Sequence, residues 1–186
     1  MSSRRTEIAT VAARVIAAEG IARTSLRGIA SEMGVTIGTL THHFRDRDDL
    51  LRTAFEVSVR EARERAEQSA AGLDGVPLVA ALLAEALPTN EDRRVEAAVW
   101  LAFSLSAVTN LDHAAMCGRL YEEFEGALAE ALCGAGVSAG AARDRARLLI
   151  AAADGIALRA LTVPALDAPQ QERLLGQAIA GALGTP

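Results

Sequence analysis

Between Thr24 and Phe44 the chain reads TSLRGIASEMGVTIGTLTHHF, two short apolar-periodic segments around a glycine. Thr36 is placed to cap a helix from Ile37 to about His43, with Val35, Leu40 and Phe44 as its buried anchors. Ile37, Gly38, Thr39, Thr41, His42 and His43 are then mostly left facing outward. A short helix presenting small and hydrogen-bonding groups can enter a DNA major groove and meet base edges. Just downstream, Arg45 and Arg47 flank Asp46, which with Asp49 makes a capping pair for the next helix. Phosphate would be attracted there by both side chains and the helix dipole. Ser25 caps the segment before the glycine, and that N-terminus can also turn backbone N–H groups toward a phosphate.

Other residues could do different chemistry. Gly136-Val137-Ser138-Ala139-Gly140 matches the GxSxG nucleophile pattern, but that motif needs a preceding strand and a histidine after it in the chain. A helix precedes it and the last histidine is His113, so Ser138 reads as a helix cap and no catalytic residue is assigned. Adjacent His42 and His43 point to different sides and His113 is remote, which disfavours a metal site. Cys117 and Cys133 lie on one helical segment without a CxxC pattern and read as free, buried thiols. Trp100, Phe103, Tyr121 and Phe124, with Met116 nearby, either belong to an ordinary core or line an apolar cavity, for which Asn110, His113 or Tyr121 would supply polar contact.

The elements that must position these groups are helical. Hydrophobic content is 51% and aromatic content 3%, and runs of strand length are missing, so an all-α fold of about nine helices is expected. The first helix, about Arg5 to Glu19, carries Ile8, Val11, Ala12, Val15 and Ile16 on one stripe. A second runs from Leu26 to Met33, closed by Gly34. Helix four runs from about Arg47 to Ala70 and ends in the charged ladder REARERAEQ, ordinarily a solvated face. Helix five is expected over Leu78 to Leu87, six from after Asn90 to about Asn110, and seven over Asp112 to Leu132. Helix eight is expected over Ala139 to Thr162 and helix nine over Pro169 to Leu183, joined through Pro164 and Pro169. Leu148, Ala152, Gly155 and Ile156 on the eighth, with Leu175, Ile179 and Ala182 on the ninth, are the candidate face for a four-helix dimer interface; the alternative is that they complete the chain's own core.

Charge is uneven. Residues 1–47 carry a net +3 and residues 48–186 a net −8 within the overall −5. A small basic module on an acidic body fits docking by one face and argues against indiscriminate coating of nucleic acid. The longest nearly uncharged stretch, Ala97 to Leu111, is too short to span a bilayer. The N-terminal segment is broken by Glu7, Arg14 and Glu19, unlike a leader, so a cytoplasmic protein is expected. Arg4 and Arg5 read either as a loose arm or as contacts to phosphate or the minor groove.

The run Leu26 to Thr36, followed by Gly38-Thr39-Leu40, His43-Phe44 and Arg47-Asp48-Asp49-Leu50, resembles the DNA-binding domain of the TetR family of transcriptional regulators over nearly all of residues 5–55. The resemblance implies that Ile37, Gly38, Thr41 and His42 face base edges or neighbouring phosphates, and that Ser25, Arg27, Thr39, His43 and Arg47 hold the DNA backbone. Thr41 stands where the family usually has Tyr, and Ile37 where a basic or small residue is common; both could touch thymine methyls instead. Trp100-Leu101-Ala102-Phe103 and the stretch from Asp154 to Leu161 are similar to a BetI-like C-terminal subgroup. Together these imply a helix-turn-helix reader over 1–47 and an effector-binding, dimerising bundle over 48–186. The expected protein is a homodimeric repressor released from a palindromic operator by a small hydrophobic or amphipathic effector. No cofactor, enzyme activity or membrane partner is expected. An activator or partner-responsive regulator with the same reader is the alternative, and a helical enzyme a more distant one.

Overall fold

The computed structural model describes residues 3–163 and 166–184, so Pro164 lies outside the described residues. Among those described, every regular element is helical. The order is α1 Ser3–Glu19, a 3-10 turn Ile21–Arg23, α2 Leu26–Glu32, α3 Ile37–His43, α4 Arg47–Ala70, α5 Gly75–Ala84, α6 Glu91–Ala107, α7 Leu111–Gly134, α8 Ala139–Thr162 and α9 Ala168–Leu183.

Short helices need help at their ends, because the first N–H groups have no partner inside the helix. Ser25 Oγ accepts from the Gly28 N–H at 3.1 Å and Thr36 Oγ1 from the Thr39 N–H at 3.3 Å. Asp46 Oδ1 accepts from the Asp49 N–H at 2.7 Å. A cap of this kind contributes about 1 kcal/mol, a large share of what holds a helix of seven residues. Between α2 and α3 the chain reverses through Gly34 at φ 65°, a conformation in which a β-carbon would be strained.

Two apolar clusters form the core. In the first, Ile8, Ala12 and Ile16 of α1 meet Ile29, Leu40 and Phe44, and then Leu50, Leu51, Ala54 and Phe55 of α4. The inward stripe of α1 differs from expectation, since Val11 and Val15 are only half-buried while Ala9 and Ala13 are buried. The cluster continues into α6 and α7 through Val99, Phe103, Met116 and Cys117. The first turns of α4 therefore belong structurally to the reader, and residue 47 marks no gap in packing. The second cluster joins α5, α7, α8 and α9 around Leu83, Leu128, Leu132, Leu149, Leu175 and Ile179.

Several expectations need correction. Helix α5 starts one turn early, at Gly75, because Pro77 sits in its first turn, where the missing N–H has no partner to lose. Ser138 occupies the N-cap position of α8, but its side chain makes no capping bond. Cys117 and Cys133 are both free, yet only Cys117 is buried. Of the candidate interface residues, Leu175 and Ile179 are 4% and 5% exposed and belong to the chain's own core, as does Ile156. Gly155 faces out, Ala152 and Ala182 are half-buried, and Leu148 is 70% exposed. Leu158 and Leu174 extend the outward apolar surface of α8 and α9.

Candidate nucleic-acid interface and cavity

Helix α3 is anchored through Leu40 and the flanking Phe44, both at most 1% exposed. Gly38, Thr41 and His42 are fully on the outside, Ile37 is 44% exposed, and Thr39 and His43 are half-buried. The Thr36 and Thr39 hydroxyls lie 3.2 Å apart, and the Thr41 hydroxyl donates to the Gly38 carbonyl at 3.2 Å. The His42 and His43 rings meet edge to face at 5.1 Å. The backbone of Gly38 is ordinary helix, and a β-carbon there would meet only Thr36 Oγ1, at 3.6 Å. The fold itself therefore does not demand glycine at this exposed site.

Two arginines expected near DNA are turned inward. Arg47 donates through Nε to the Thr24 carbonyl at 2.6 Å and through Nη2 to the Ile21 carbonyl, so it ties the start of α4 to the loop before α2. Its guanidinium is a staple rather than the open phosphate anchor that its position suggested. Arg5 likewise stacks over the Phe44 ring at 4.3 Å and bonds Asp49 Oδ1 and Thr53 Oγ1, each at 2.9 Å, and the His43 carbonyl. It is no loose arm, and Arg4 pairs with Glu7 on the same helix. Burial by itself would raise the Asp49 carboxyl, but the Arg45 N–H and the Arg5 guanidinium outweigh it and hold Asp49 below its ordinary value. Arg45, the other arginine flanking Asp46, has a side chain 79% exposed and lies 3.7 Å from Asp49. Arg27 is exposed on α2, and among the described residues nothing pairs with its guanidinium.

The body holds a half-open cavity of about 530 Å³ between α4, α5, α6, α7 and α8. Trp100, Tyr121 and Phe124 line it. Phe103 does not: it is fully buried, stacked behind Phe55 at 4.3 Å. Asn110 caps α7 by accepting from the Asp112 and His113 N–H groups. His113 is 6% exposed, bonded through Nδ1 to Ser106 Oγ at 2.9 Å and packed 4.6 Å from Phe103; burial lowers its pKa and favours the neutral ring. Met116 borders a separate, smaller groove. These four were expected at the cavity because they share helices with its wall, but they lie on other faces.

The ladder on α4 is also not simply solvated. Ala62, Ala66 and Ala70 open onto the cavity, and Arg65 bonds Glu96 and, at 3.2 Å, Glu85, while Arg93 bonds Glu85 from the far side. Burial would lower Arg65, but the two carboxylates hold it above its ordinary value. The wall residue most clearly missed is Asp154. It accepts a hydrogen bond from the Tyr121 hydroxyl at 2.7 Å. A signal existed, since Asp154 interrupts the apolar face of α8 that carries Ile150, Ala153 and Ala157.

Comparison with known proteins gives this arrangement a family. Residues 8–54 match the tetR family of bacterial regulatory proteins, and residues 76–184 match the C-terminal domain of BetI-type transcriptional repressors. The chain belongs to the TetR family of transcriptional regulators, and its N-terminal helix-turn-helix is the DNA-binding part. It is 37% identical over 106 residues to the HTH-type transcriptional regulator PksA of Bacillus subtilis, covering 56% of this chain and 51% of that protein. The chain thus spans about half the length of the curated relatives it matches. A transcriptional regulator from Rhodococcus sp. Rha1 superposes with a TM-score of 0.88 at 30% identity, covering 99% of this chain and 97% of the other. A regulator from Saccharomonospora viridis in complex with choline gives 0.81 at 26% identity, with 96% of each chain covered. Among the described residues, no helix is long and apolar enough to cross a membrane.

Proposed function

We propose that this regulator is a cytoplasmic repressor that binds a palindromic operator as a homodimer and releases it when a small apolar or amphipathic molecule occupies the cavity. One observation carries the link between the two parts: Phe55 is both a wall of the cavity and a member of the reader's core. An occupant that displaces Phe55 displaces the α4 turns on which α1 packs and which share the reader's core with Leu40 and Phe44. The division of labour is residues 1–47 for reading DNA and 48–186 for pairing and sensing, with α4 serving both.

Ile37, Gly38, Thr41 and His42 face the base edges in this reading, and the small surface at Gly38 admits close approach of the duplex. Ser25, Thr36, Thr39 and His43 sit at helix ends near the backbone, with Arg27 and Arg45 as the cations toward phosphate. Two readers fit successive major grooves when their recognition helices lie about one helical turn, roughly 34 Å, apart. The outward side of α8 and α9, with Leu148, Gly155, Leu158 and Leu174, supplies the pairing face. An effector acts only to the extent that it binds the released geometry more tightly than the bound one.

Selection from random duplex DNA tests the reading. Enrichment of a two-fold symmetric site is expected, with affinity falling as salt rises. Recovery of sequences without symmetry, or a chain that sediments as a monomer at micromolar concentration, would contradict it.

A further inference from the structure

Five carboxylates line the cavity: Glu67, Glu85, Glu96, Glu123 and Asp154. Glu85, Glu96 and Glu123 are each bonded to an arginine, and Glu67 is exposed to solvent. Asp154 differs from all of these. It is half-buried on α8, and among the described residues no cation pairs with it. Its hydrogen-bond partner is the neutral Tyr121 hydroxyl, at 2.7 Å, with the Trp100 indole close enough to favour its charged form. The Trp100 and Tyr121 rings meet edge to face at 5.0 Å, and Phe55 stacks on Trp100 at 5.7 Å. A carboxylate and two electron-rich rings thus converge at one end of a space whose remaining surface is largely alanine, leucine and phenylalanine.

We propose that this cluster is the head-group end of a site for a lipophilic monocation, an ammonium carrying an alkyl or aryl body, which rests on the cavity being the effector site. A carboxylate removed from water without a counter-charge is unfavourable, and a cation entering beside it relieves that penalty. Burial holds Asp154 above the ordinary carboxylate range, with the Tyr121 and Trp100 donors offsetting only part of the effect. Burial and the neighbouring Asp154 keep the proton on Tyr121, whose pKa is raised, so the tyrosine acts as a neutral donor and leaves the negative charge on Asp154. The ring faces add cation–π attraction for the same head group. An anion meets the opposite situation: Arg63 is the one arginine in the wall among the described residues, and it is bonded to Glu123. The volume of about 530 Å³ far exceeds an ammonium head group, and its apolar lining requires a hydrophobic body to fill it.

The test uses the full-length protein and four probes: decyltrimethylammonium, 1-decanol, decanoate and choline. Trp100 is the single tryptophan and stands in the wall, so its fluorescence reports occupancy, with calorimetry as an independent readout. Decyltrimethylammonium is expected to bind at least about tenfold more tightly than decanol or decanoate, and also more tightly than choline, which lacks the hydrophobic body. Equal or tighter binding of decanol or decanoate, or no binding of the cation, overturns the proposal, and this comparison needs no variant. Asp154→Asn keeps the shape and can still accept from Tyr121. It is expected to weaken the cation by about tenfold or more and to leave decanol within about twofold. Unchanged affinity for the cation in a variant that melts like the parent also overturns it. Operator release is measured separately: a cation that binds through Asp154 without releasing DNA confirms the site chemistry and refutes the effector role. A neutral probe that binds more tightly and releases DNA does the reverse.

Discussion

The reader and the body give their buried arginines different main partners. In the reader, Arg5 and Arg47 reach across 38 and 23 residues of chain, respectively, to backbone carbonyls, and so fix short helices that lack extensive cores of their own. In the body, Arg65 and Arg93 bond carboxylates on neighbouring helices around an open space. A guanidinium on a carbonyl holds one backbone geometry, whereas side-chain pairs bordering a cavity can exchange partners when something enters. Rigidity and accommodation are thus placed in different regions, with Phe55 between them.

The largest test of that contrast compares two phenylalanines. Phe44→Ala in the reader removes a ring that is 1% exposed and carries Arg5 on its face, and is expected to cost about 3–5 kcal/mol in denaturant unfolding. Phe124→Ala borders existing empty space and is expected to cost clearly less, about 1–2 kcal/mol. Equal costs would break the distinction.

Arg47→Ala comes next. Two carbonyls lose a charged donor, so a loss of about 2 kcal/mol is expected, seen as a lower melting temperature before any DNA is added. If melting is unchanged while operator binding collapses, Arg47 is a phosphate contact after all.

Asp49 gives the pH dependence. Its folded pKa lies below the ordinary value of 3.8, so its contribution is present above that value and disappears as pH falls through the lower, folded pKa. Stability should decline on the acid side, and Asp49→Asn should flatten that limb in denaturant titrations taken at successive pH values.

The smallest effect on stability is expected for Arg45→Ala, within about 0.5 kcal/mol of the parent. The same variant should weaken operator binding across all sequences and reduce the salt slope by about one. A normal slope would leave Arg27 as the main cation of the interface.

The helices were largely legible from local signals. Ser25, Thr36, Asp46 and Asn90 announce starts, Gly34 announces a stop, and α8 falls where Ser138 and its apolar period place it. Contacts that bridge distant segments were not legible. The acceptors of Arg47 are the carbonyls of Ile21 and Thr24, and a carbonyl leaves no mark on side-chain pattern. Helical period also gives a face without saying what it meets. Trp100 and Phe103 are three residues apart, yet one borders the cavity and the other is sealed behind Phe55. Leu175 and Ile179 read from the sequence as an interface face with core as the alternative, and the packing of α9 on α5 and α8 puts them in the core.

The seven residues of α3 set a limit on addressing. At 1.5 Å per residue the helix is about 10 Å long, and at 3.4 Å per base step it faces roughly three to four base pairs. A word that short recurs every few hundred base pairs at most, against about a million or more competing positions in a genome. One copy of this chain therefore holds too little information to name a gene. Two copies joined at a fixed separation multiply the length of the word, and a change in that separation erases the address without altering a single letter-reading side chain.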